Sequence, residues 1–117
     1  MKNFVLTCIA LFSILTVFAQ QPLEGIWQTN DDNTLIETYQ KDGAWYGKIK
    51  SSDNPKATIG MDILKGFTEK DGVWNGQLYA VKKNETLDAV ITPDANKLNI
   101  VLTKGIITKK LVWTKQE

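Results

Sequence analysis

The chain alternates short apolar runs with polar turns, and this alternation predicts β-strands throughout residues 20–117. Runs of β-branched, aromatic and aliphatic residues recur about every 10 to 12 residues, which is the spacing of an antiparallel meander. Such spacing leaves no room for crossover helices. The strands predicted from the pattern cover residues 23–29, 34–40, 44–50, 59–67, 73–80, 86–92, 97–103 and 106–114.

One segment of the pattern occurs twice. Residues 41–49 (KDGAWYGKI) match residues 70–78 (KDGVWNGQL) in both the turn and the strand. Gly after Asp supplies the positive φ angle that a tight hairpin needs. In each copy the Trp and the Gly two residues later share one face, so we expect the Gly to mark a bend where a neighbouring aromatic ring covers the backbone. In the alternative interpretation, Trp45 and Trp74 line a ligand cavity.

Short strands with one apolar face each must either stack as a sandwich or close on themselves. Closure removes exposed edges and suits consecutive hairpins, so the predicted fold is all-β, an eight-stranded antiparallel up-and-down β-barrel. The face that carries the tryptophans gives the predicted interior: Trp27, Trp45, Ile49, Trp74, Leu78, Ala80, Leu87, Ala89, Ile91, Leu98, Ile100, Leu102, Ile107, Leu111 and Trp113. The outward positions carry polar residues, which argues against an outer-membrane barrel: Lys48, Lys50, Gln77, Asp88, Asn99 and Lys110.

The N-terminus has the features of a cleavable signal peptide. Lys2 precedes an apolar run over residues 4–18, and the small residues Val17 and Ala19 occupy the cleavage positions, so we predict cutting after Ala19. The run is shorter than the about 20 residues of a membrane span. Cys8 lies too early for lipid attachment and is interpreted as one more apolar residue of the leader. The sequence therefore predicts an exported protein, periplasmic or secreted, whose residues 20–117 form a single domain that does not span the membrane.

Composition excludes several kinds of chemistry. Residues 20–117 hold 13 Lys against 13 Asp plus Glu, and the chain has neither Arg nor His. A neutral domain without Arg argues against nucleic acid as a partner. Without His and with no Cys after residue 8, zinc sites of the usual kinds and Ser or Cys nucleophiles served by a His are excluded. Asp31-Asp32-Asn33 and Asp53-Asn54 lack the ligand spacing of a calcium loop, so we expect no metal. Because the usual catalytic residue types are missing, we also expect no cofactor and no enzymatic activity.

The start of the first strand resembles that of lipocalins and streptavidin-type barrels. Gly25-Ile26-Trp27 carries the likeness, and in those barrels the Trp plugs the closed end. In lipocalins a basic residue near the last strand covers this Trp, and the resemblance gives that role to Lys109 through a cation–π contact. Trp113 in the last strand is the third member of the predicted plug.

A second resemblance covers nearly the whole of residues 20–117. The matching pieces are Gly25-Ile26-Trp27, Tyr39, Gly43, Tyr46-Gly47-Lys48-Ile49, Asn54-Pro55, residues 60–67, Trp74-Asn75-Gly76 with Tyr79, and Trp113-Thr114. Their order and spacing resemble the exported bacterial family of domain of unknown function 2147. The resemblance implies a lipocalin-like or streptavidin-like barrel outside the cytoplasm, and no established activity. The chain departs from the family at residues 80–83, where an Asp-Pro-type turn is usual, and at Thr108-Lys109, which replaces a Gly-Arg.

Two features leave alternatives open. If Leu35 and Tyr39 face inward, Glu37 does too, and an interior carboxylate needs a partner or a raised pKa. Glu37 and Tyr39 would then orient a ligand at the barrel mouth; if Ile36 faces inward instead, Glu37 is solvated. The second feature is the loop over residues 51–58, the one connection longer than a turn needs, which is either a lid or an ordinary connection.

The leading hypothesis is a monomeric, non-enzymatic binding module. It would hold a small, partly apolar molecule or a cell-envelope component in a cavity lined by Trp45, Trp74 and Leu78. The first alternative is a packed barrel that binds an envelope protein through its outer surface around Tyr46 and Tyr79. The second alternative is a hydrolase with two carboxylates about 5 to 9.5 Å apart, for which the spacing indicates no pair.

Overall fold

The strands follow one another along the chain as an uninterrupted meander. The computed structural model describes residues 22–116, and the elements within them are all strands. They are β1 (Ile26–Gln28), β2 (Leu35–Lys41), β3 (Ala44–Ser51), β4 (Asp62–Lys70), β5 (Val73–Ala80), β6 (Glu85–Asp94), β7 (Lys97–Lys104) and β8 (Ile107–Lys115). The predicted signal peptide, its cleavage site and Cys8 lie outside the described residues.

Residues 22–116 contain no helix that is long and apolar enough to cross a membrane.

Each strand pairs antiparallel with the next, and β1 pairs with β8 to close the barrel. The predicted eight-stranded antiparallel up-and-down barrel is therefore confirmed. Closure depends on a short strand, because β1 meets β8 only at Trp27↔Lys115 and Gln28↔Thr114. One backbone hydrogen bond extends this junction: the Gln116 amide donates to the Ile26 carbonyl at 2.8 Å.

The two ends of the barrel have different connections. At one end, which we call the closed end, the connections are three two-residue turns at 42–43, 71–72 and 95–96. The repeated Asp-Gly turns have φ of 53° and 82° at Asp42 and Gly43, and 56° and 82° at Asp71 and Gly72, as type I′ turns require. The other end, the open end, carries the connections 29–34, 52–61, 81–84 and 105–106.

A bulge in β4 shapes the core. The pairing of β4 with β5 shifts between Lys65 and Thr68, and Gly66 there has a φ of 65°. The bulge turns Phe67 inward, where it is 0% exposed. Its ring lies against Gly76 so closely that a Cβ at that position would be 2.6 Å from the ring. The prediction that an aromatic ring covers the repeated Gly is confirmed at Gly76.

The second repeated Gly has a different neighbour. A Cβ at Gly47 would lie 2.8 Å from Ile36 Cγ2 and 2.9 Å from Leu64 Cδ1. Aliphatic side chains therefore cover Gly47, and the expected aromatic ring is absent there. In both hairpins the glycine allows another strand's side chain to contact the backbone.

Most predicted interior residues are buried, with differences at three strand ends. The pattern predicts that the first strand begins at Leu23, but β1 begins at Ile26, and Leu23 is buried at 1% exposure where it covers the closed end. The fourth strand begins at Asp62, which leaves Ile59 in the preceding loop at 64% exposure. The prediction that Ile107 faces the interior is wrong: it is 69% exposed, because the β7–β8 hairpin places it at the last pair before the turn.

Candidate functional site

The closed end is filled by side chains and by the segment that precedes β1. Trp27 is 1% exposed, and its indole Nε1 donates a hydrogen bond to the Leu23 carbonyl at 3.0 Å. The Thr38 hydroxyl donates to the same carbonyl at 2.6 Å and accepts from the Gly25 amide at 3.0 Å. These bonds hold Leu23 across this end of the barrel, with Trp27 beneath it.

The basic residue that covers Trp27 is not the predicted one. Lys115 Nζ lies 6.0 Å from the centre of the Trp27 ring, at the limit of a cation–π contact. Lys109 lines a cavity at the other end of the barrel, so the role assigned to it is wrong. Lys109 and Lys115 are six residues apart on β8, and six residues of extended strand span about 20 Å. Lys109 therefore cannot take the place of Lys115 over the Trp27 ring.

The open end leads into a cavity of about 210 Å³. Its walls are mainly apolar and come from seven of the eight strands and three of the loops. The apolar lining residues are Ile36, Ile49, Ala57, Ile63, Leu78, Ala80, Val81, Leu87, Leu102, Leu111 and Trp113. Trp113, predicted as part of the plug, thus contributes to the cavity wall, while its neighbour Leu98 on β7 is packed at 0% exposure.

The structure separates the three residues predicted to line a cavity. Leu78 lies in the cavity wall, but Trp45 and Trp74 do not. The prediction is wrong for both tryptophans, because each is the second residue of a strand that begins at a closed-end turn. There Trp45 pairs with Phe67 and Trp74 pairs with Ile91, and these partners belong to the packed core.

Glu37 and Tyr39 lie on the outer wall. Ile36 is 1% exposed and Thr38 is 8% exposed, so these two residues point inward along β2. The inward alternative for Glu37 is therefore wrong, and neither Glu37 nor Tyr39 lines the cavity. An aliphatic residue and a small hydroxyl that is hydrogen-bonded are less costly inside than a carboxylate and a phenol, which explains the orientation.

Tyr39 is held by its neighbours on the outer wall. Its hydroxyl donates to Asp62 Oδ1 at 2.7 Å, and its ring stacks on Tyr46 with 5.7 Å between centroids. The hydrogen bond to the carboxylate, together with burial and the negative charge of Asp62, raises the pKa of Tyr39 to about 12. Tyr39 therefore connects β2 to the first residue of β4 and is not a proton donor or acceptor near pH 7.

An ion pair crosses the mouth of the cavity. Lys82 in the turn between β5 and β6 lies 2.8 Å from Asp31 Oδ1 and 3.6 Å from Asp32 Oδ2, both in the loop between β1 and β2. These two connections lie on opposite sides of the mouth, because they are four strands apart in the closed eight-stranded barrel. The two carboxylates raise the pKa of Lys82. Because Lys82 and Asp31 are 58% and 59% exposed, the pair is screened by water and adds little to stability.

The loop between β3 and β4 forms another part of the rim. Ser52, Asn54 and Ala57 contribute to the cavity wall. The loop is bonded to the β1–β2 loop: the Asp53 amide donates to the Asp32 carbonyl at 2.8 Å, and Asn33 Nδ2 donates to Asp53 Oδ2 at 2.7 Å. Side-chain hydroxyls add a bond of 2.7 Å between Thr34 and Ser52. These bonds make the two loops one continuous piece of the rim.

Sequence reasoning missed the rim residues and the location of the cavity. The predicted strand bounds held a partial signal for the location, because the longest predicted connection, residues 51–58, alternates along the chain with shorter ones on either side. In an up-and-down barrel, alternate connections lie at the same end, so the longer ones gather around one mouth. Loops on a rigid barrel are common places for binding residues, which makes that end the better candidate.

The described part of the chain offers little for a metal or for polar recognition inside the barrel. Residues 22–116 contain no group of three or more Asp, Glu, His or Cys residues that could hold a metal ion. Every buried side-chain nitrogen and oxygen of the described residues has a hydrogen-bond partner. What the cavity presents is therefore apolar surface inside and charged groups at its rim.

A plugged end, a closed meander and an apolar cavity at the opposite end define a small up-and-down β-barrel of the kind whose interior can accept one small molecule. The family model described as "Uncharacterized protein conserved in bacteria (DUF2147)" matches residues 25–115, and the chain belongs to this family. The resemblance found in the sequence is thereby confirmed. A search of the curated proteins gave no match.

Proposed function

We propose that this protein is a non-enzymatic binder of a small, partly apolar molecule, either free or part of a cell-envelope component. The observation that supports it is the cavity of about 210 Å³ with apolar walls at the open end. A dry apolar cavity of about 150 Å³ in another protein is large enough for benzene. The cavity here therefore suits a small ring or a short aliphatic chain.

The rim favours a ligand whose polar end is anionic. Lys82, Lys83 and Lys109 all border the cavity. Lys82 pairs with both rim carboxylates, whereas Lys83 and Lys109 form no salt bridge within residues 22–116. A ligand with an apolar body and a carboxylate or phosphate end would satisfy both the walls and these two ammonium groups.

The alternatives receive less support. For the hydrolase alternative, the carboxylates that border the cavity are Asp31 and Asp32, and both lie beside Lys82 at an open rim. A glycosidase-type acid pair needs one acid held neutral, which a neighbouring ammonium group opposes.

For the alternative of a protein-binding surface, Tyr46 and Tyr79, its proposed centre, are both half-buried by local contacts. Tyr46 stacks on Tyr39, and the Tyr79 hydroxyl donates to Asn84 at 2.6 Å.

Two experiments test the proposal. Native mass spectrometry of the protein isolated gently from its source should detect a copurified small molecule.

In the second experiment, hexanoate, hexanol and hexylamine are titrated into the isotope-labelled chain without residues 1–19 while backbone amide resonances are recorded by NMR. We expect hexanoate to bind best, with shifts at Ala57, Ala80 and Leu111 and none near Phe67, because the first three residues line the cavity.

A matched pair of substitutions provides the control. Leu87→Trp places an indole in the cavity wall, while Val90→Trp, on the same strand, is not among the lining residues. Leu87→Trp should weaken hexanoate binding by about tenfold or more, equivalent to about 1.4 kcal/mol, and Val90→Trp should not. Equal effects of the two variants, or no shifts with any of the three probes and a mass without ligand, would contradict the proposal.

A further inference from the structure

The last hairpin of this neutral domain carries a net positive charge, while the rest of the barrel carries a net negative charge. The β7–β8 hairpin, residues 97–115, contains five lysines and neither Asp nor Glu. Residues 22–96 contain eight lysines against twelve acidic residues, so the hairpin carries a formal charge of +5 and the rest of the barrel −4. Such asymmetry orients a protein in the field of a charged surface, even though the total charge is close to zero.

The tip of this hairpin exposes apolar side chains. Ile106 is 101% exposed and Ile107 is 69% exposed, the two highest values among the large hydrophobic residues of the described chain. Three of the hairpin lysines, Lys104, Lys109 and Lys110, lie within three residues of this pair and are themselves exposed. Exposed apolar residues usually mark an interaction site when they occur together, and here they occur beside a basic cluster.

The tip also lies at the open end of the barrel. Its turn, residues 105–106, is one of the four open-end connections. Lys109, two residues beyond Ile107, borders the cavity itself. A surface that receives the tip would therefore face the mouth of the cavity.

We propose that the β7–β8 tip docks the barrel, mouth first, on the surface of an anionic lipid bilayer. Ile106 and Ile107 would enter the interfacial region, and Lys109 and Lys110, which form no salt bridge within residues 22–116, would lie among the anionic headgroups. Lys104, whose ammonium group is paired with Glu85, would lie beside them. Apolar side chains flanked by basic residues bind such surfaces by combining burial with electrostatic attraction. With two isoleucines and three nearby lysines, the binding is reversible and depends on both salt and lipid charge.

The shape of the tip favours a bilayer over a protein partner. A specific protein interface buries about 800 Å² on each side and needs a complementary surface. A two-residue turn with two projecting isoleucines offers little such area, whereas the soft interface of a bilayer accepts a projection of any shape. The proposal depends on the hairpin alone and is independent of whether the cavity holds a ligand.

Vesicle flotation tests the proposal with the chain that lacks residues 1–19, which retains all eight strands of the barrel. Vesicles of phosphatidylcholine mixed with phosphatidylglycerol should carry the protein upward at low salt. Vesicles of phosphatidylcholine alone, and mixed vesicles at high salt, should not. Ile106→Ser combined with Ile107→Ser should reduce binding by about tenfold or more, because two apolar side chains no longer enter the interface.

Matched controls separate the hairpin tip from general effects of charge and apolarity. Val112→Ser removes another exposed apolar side chain, 44% exposed, from the part of β8 nearer the closed end and should leave binding unchanged. Lys109→Gln with Lys110→Gln should weaken binding, while Lys41→Gln with Lys70→Gln beside the closed-end turns should not. Each variant is first compared with the parent by near-UV circular dichroism.

Four results would overturn the proposal: no flotation with anionic vesicles, flotation that is insensitive to salt, equal losses in the Val112 and Ile106/Ile107 variants, or equal losses in the two lysine pairs. A fifth is capture of the parent protein by immobilised polyglutamate, lost in the Ile106/Ile107 variant, without flotation. That result would indicate an acidic protein partner in place of a membrane.

Discussion

The two ends of this barrel are made from the same strands but have opposite properties. At the closed end, two-residue turns bring the strands together over Trp27, Phe67 and Leu98, which are at most 1% exposed. At the open end, three longer connections and the two-residue turn 105–106 surround a cavity of about 210 Å³ bordered by charged residues. The short turns of the closed end bring the strands together over packed side chains, whereas the longer loops of the open end stand around the cavity.

This difference separates stability from binding. The closed end contains the residues whose loss would leave voids in a packed interior. The open end contains side chains that line the cavity, so changes there should affect stability less and ligand choice more. The predictions below test this division, from the largest expected effect to the smallest.

The strongest test is one substitution made at both ends. Leu98→Ala, at a residue that is 0% exposed, should lower the free energy of unfolding by about 3 to 5 kcal/mol, because it creates a cavity in a packed region. Leu111→Ala, on the neighbouring strand, should cost only about 1 to 2 kcal/mol, because Leu111 already borders the open cavity. Urea unfolding followed by tryptophan fluorescence measures both; equal costs would show that the ends do not differ in packing.

A second test adds atoms in place of removing them. Gly76→Ala should destabilise the barrel by about 1 to 3 kcal/mol, because its Cβ would lie 2.6 Å from the Phe67 ring. Ala80→Val, at the open end of the same strand, extends into the cavity and should be neutral or slightly stabilising. Thermal and urea unfolding of the two variants provide the comparison.

The double variant Gly76→Ala with Phe67→Leu identifies the cause. If the clash with the ring is responsible, the smaller Leu side chain should recover part of the loss, so that the two substitutions together cost less than their sum. Strict additivity of the two costs would contradict the proposed contact.

The smallest effect concerns the outer wall, where Tyr39 connects the closed-end half of β2 to the strand that leaves the open-end loop. Its pKa of about 12 in the folded protein lies above the ordinary value of 10.0. The neutral phenol is thus favoured by folding, and this stabilisation is complete below pH 10 and lost as the pH rises toward 12. Ultraviolet titration should show one of the three tyrosines ionising last, and Tyr39→Phe should remove that step.

Asp62→Asn is the matched control for this titration. It removes the negative charge and the strongest acceptor of the Tyr39 hydroxyl, so the last ionisation should move toward pH 10. If the titration of Tyr39 is the same in this variant, the hydrogen bond to Asp62 is not the cause of the raised pKa.

The sequence by itself determined the number of strands, their order and, for six of the eight strands, the face that turns inward. The period of two along each run fixes which side chains share a face, and the repeated Asp-Gly turns fix where two of the hairpins reverse. Neither signal depends on distant parts of the chain. This is why the predicted barrel and most of its core, including Trp27, Trp45 and Ile49, agree with the structure.

Only the tertiary structure decided what the two ends do. Which lysine covers Trp27, which face of β2 turns inward, and whether Trp45 and Trp74 border a cavity all depend on how the strands are offset around the closed barrel. The bulge at Gly66 and the packing of the loops also contribute, and no local pattern encodes them. A one-residue change of register exchanges the two faces of a strand, so the alternating pattern alone does not fix which face is buried. The pattern also repeats every two residues along the whole strand, so it carries no information about how far a residue lies from either end of the barrel.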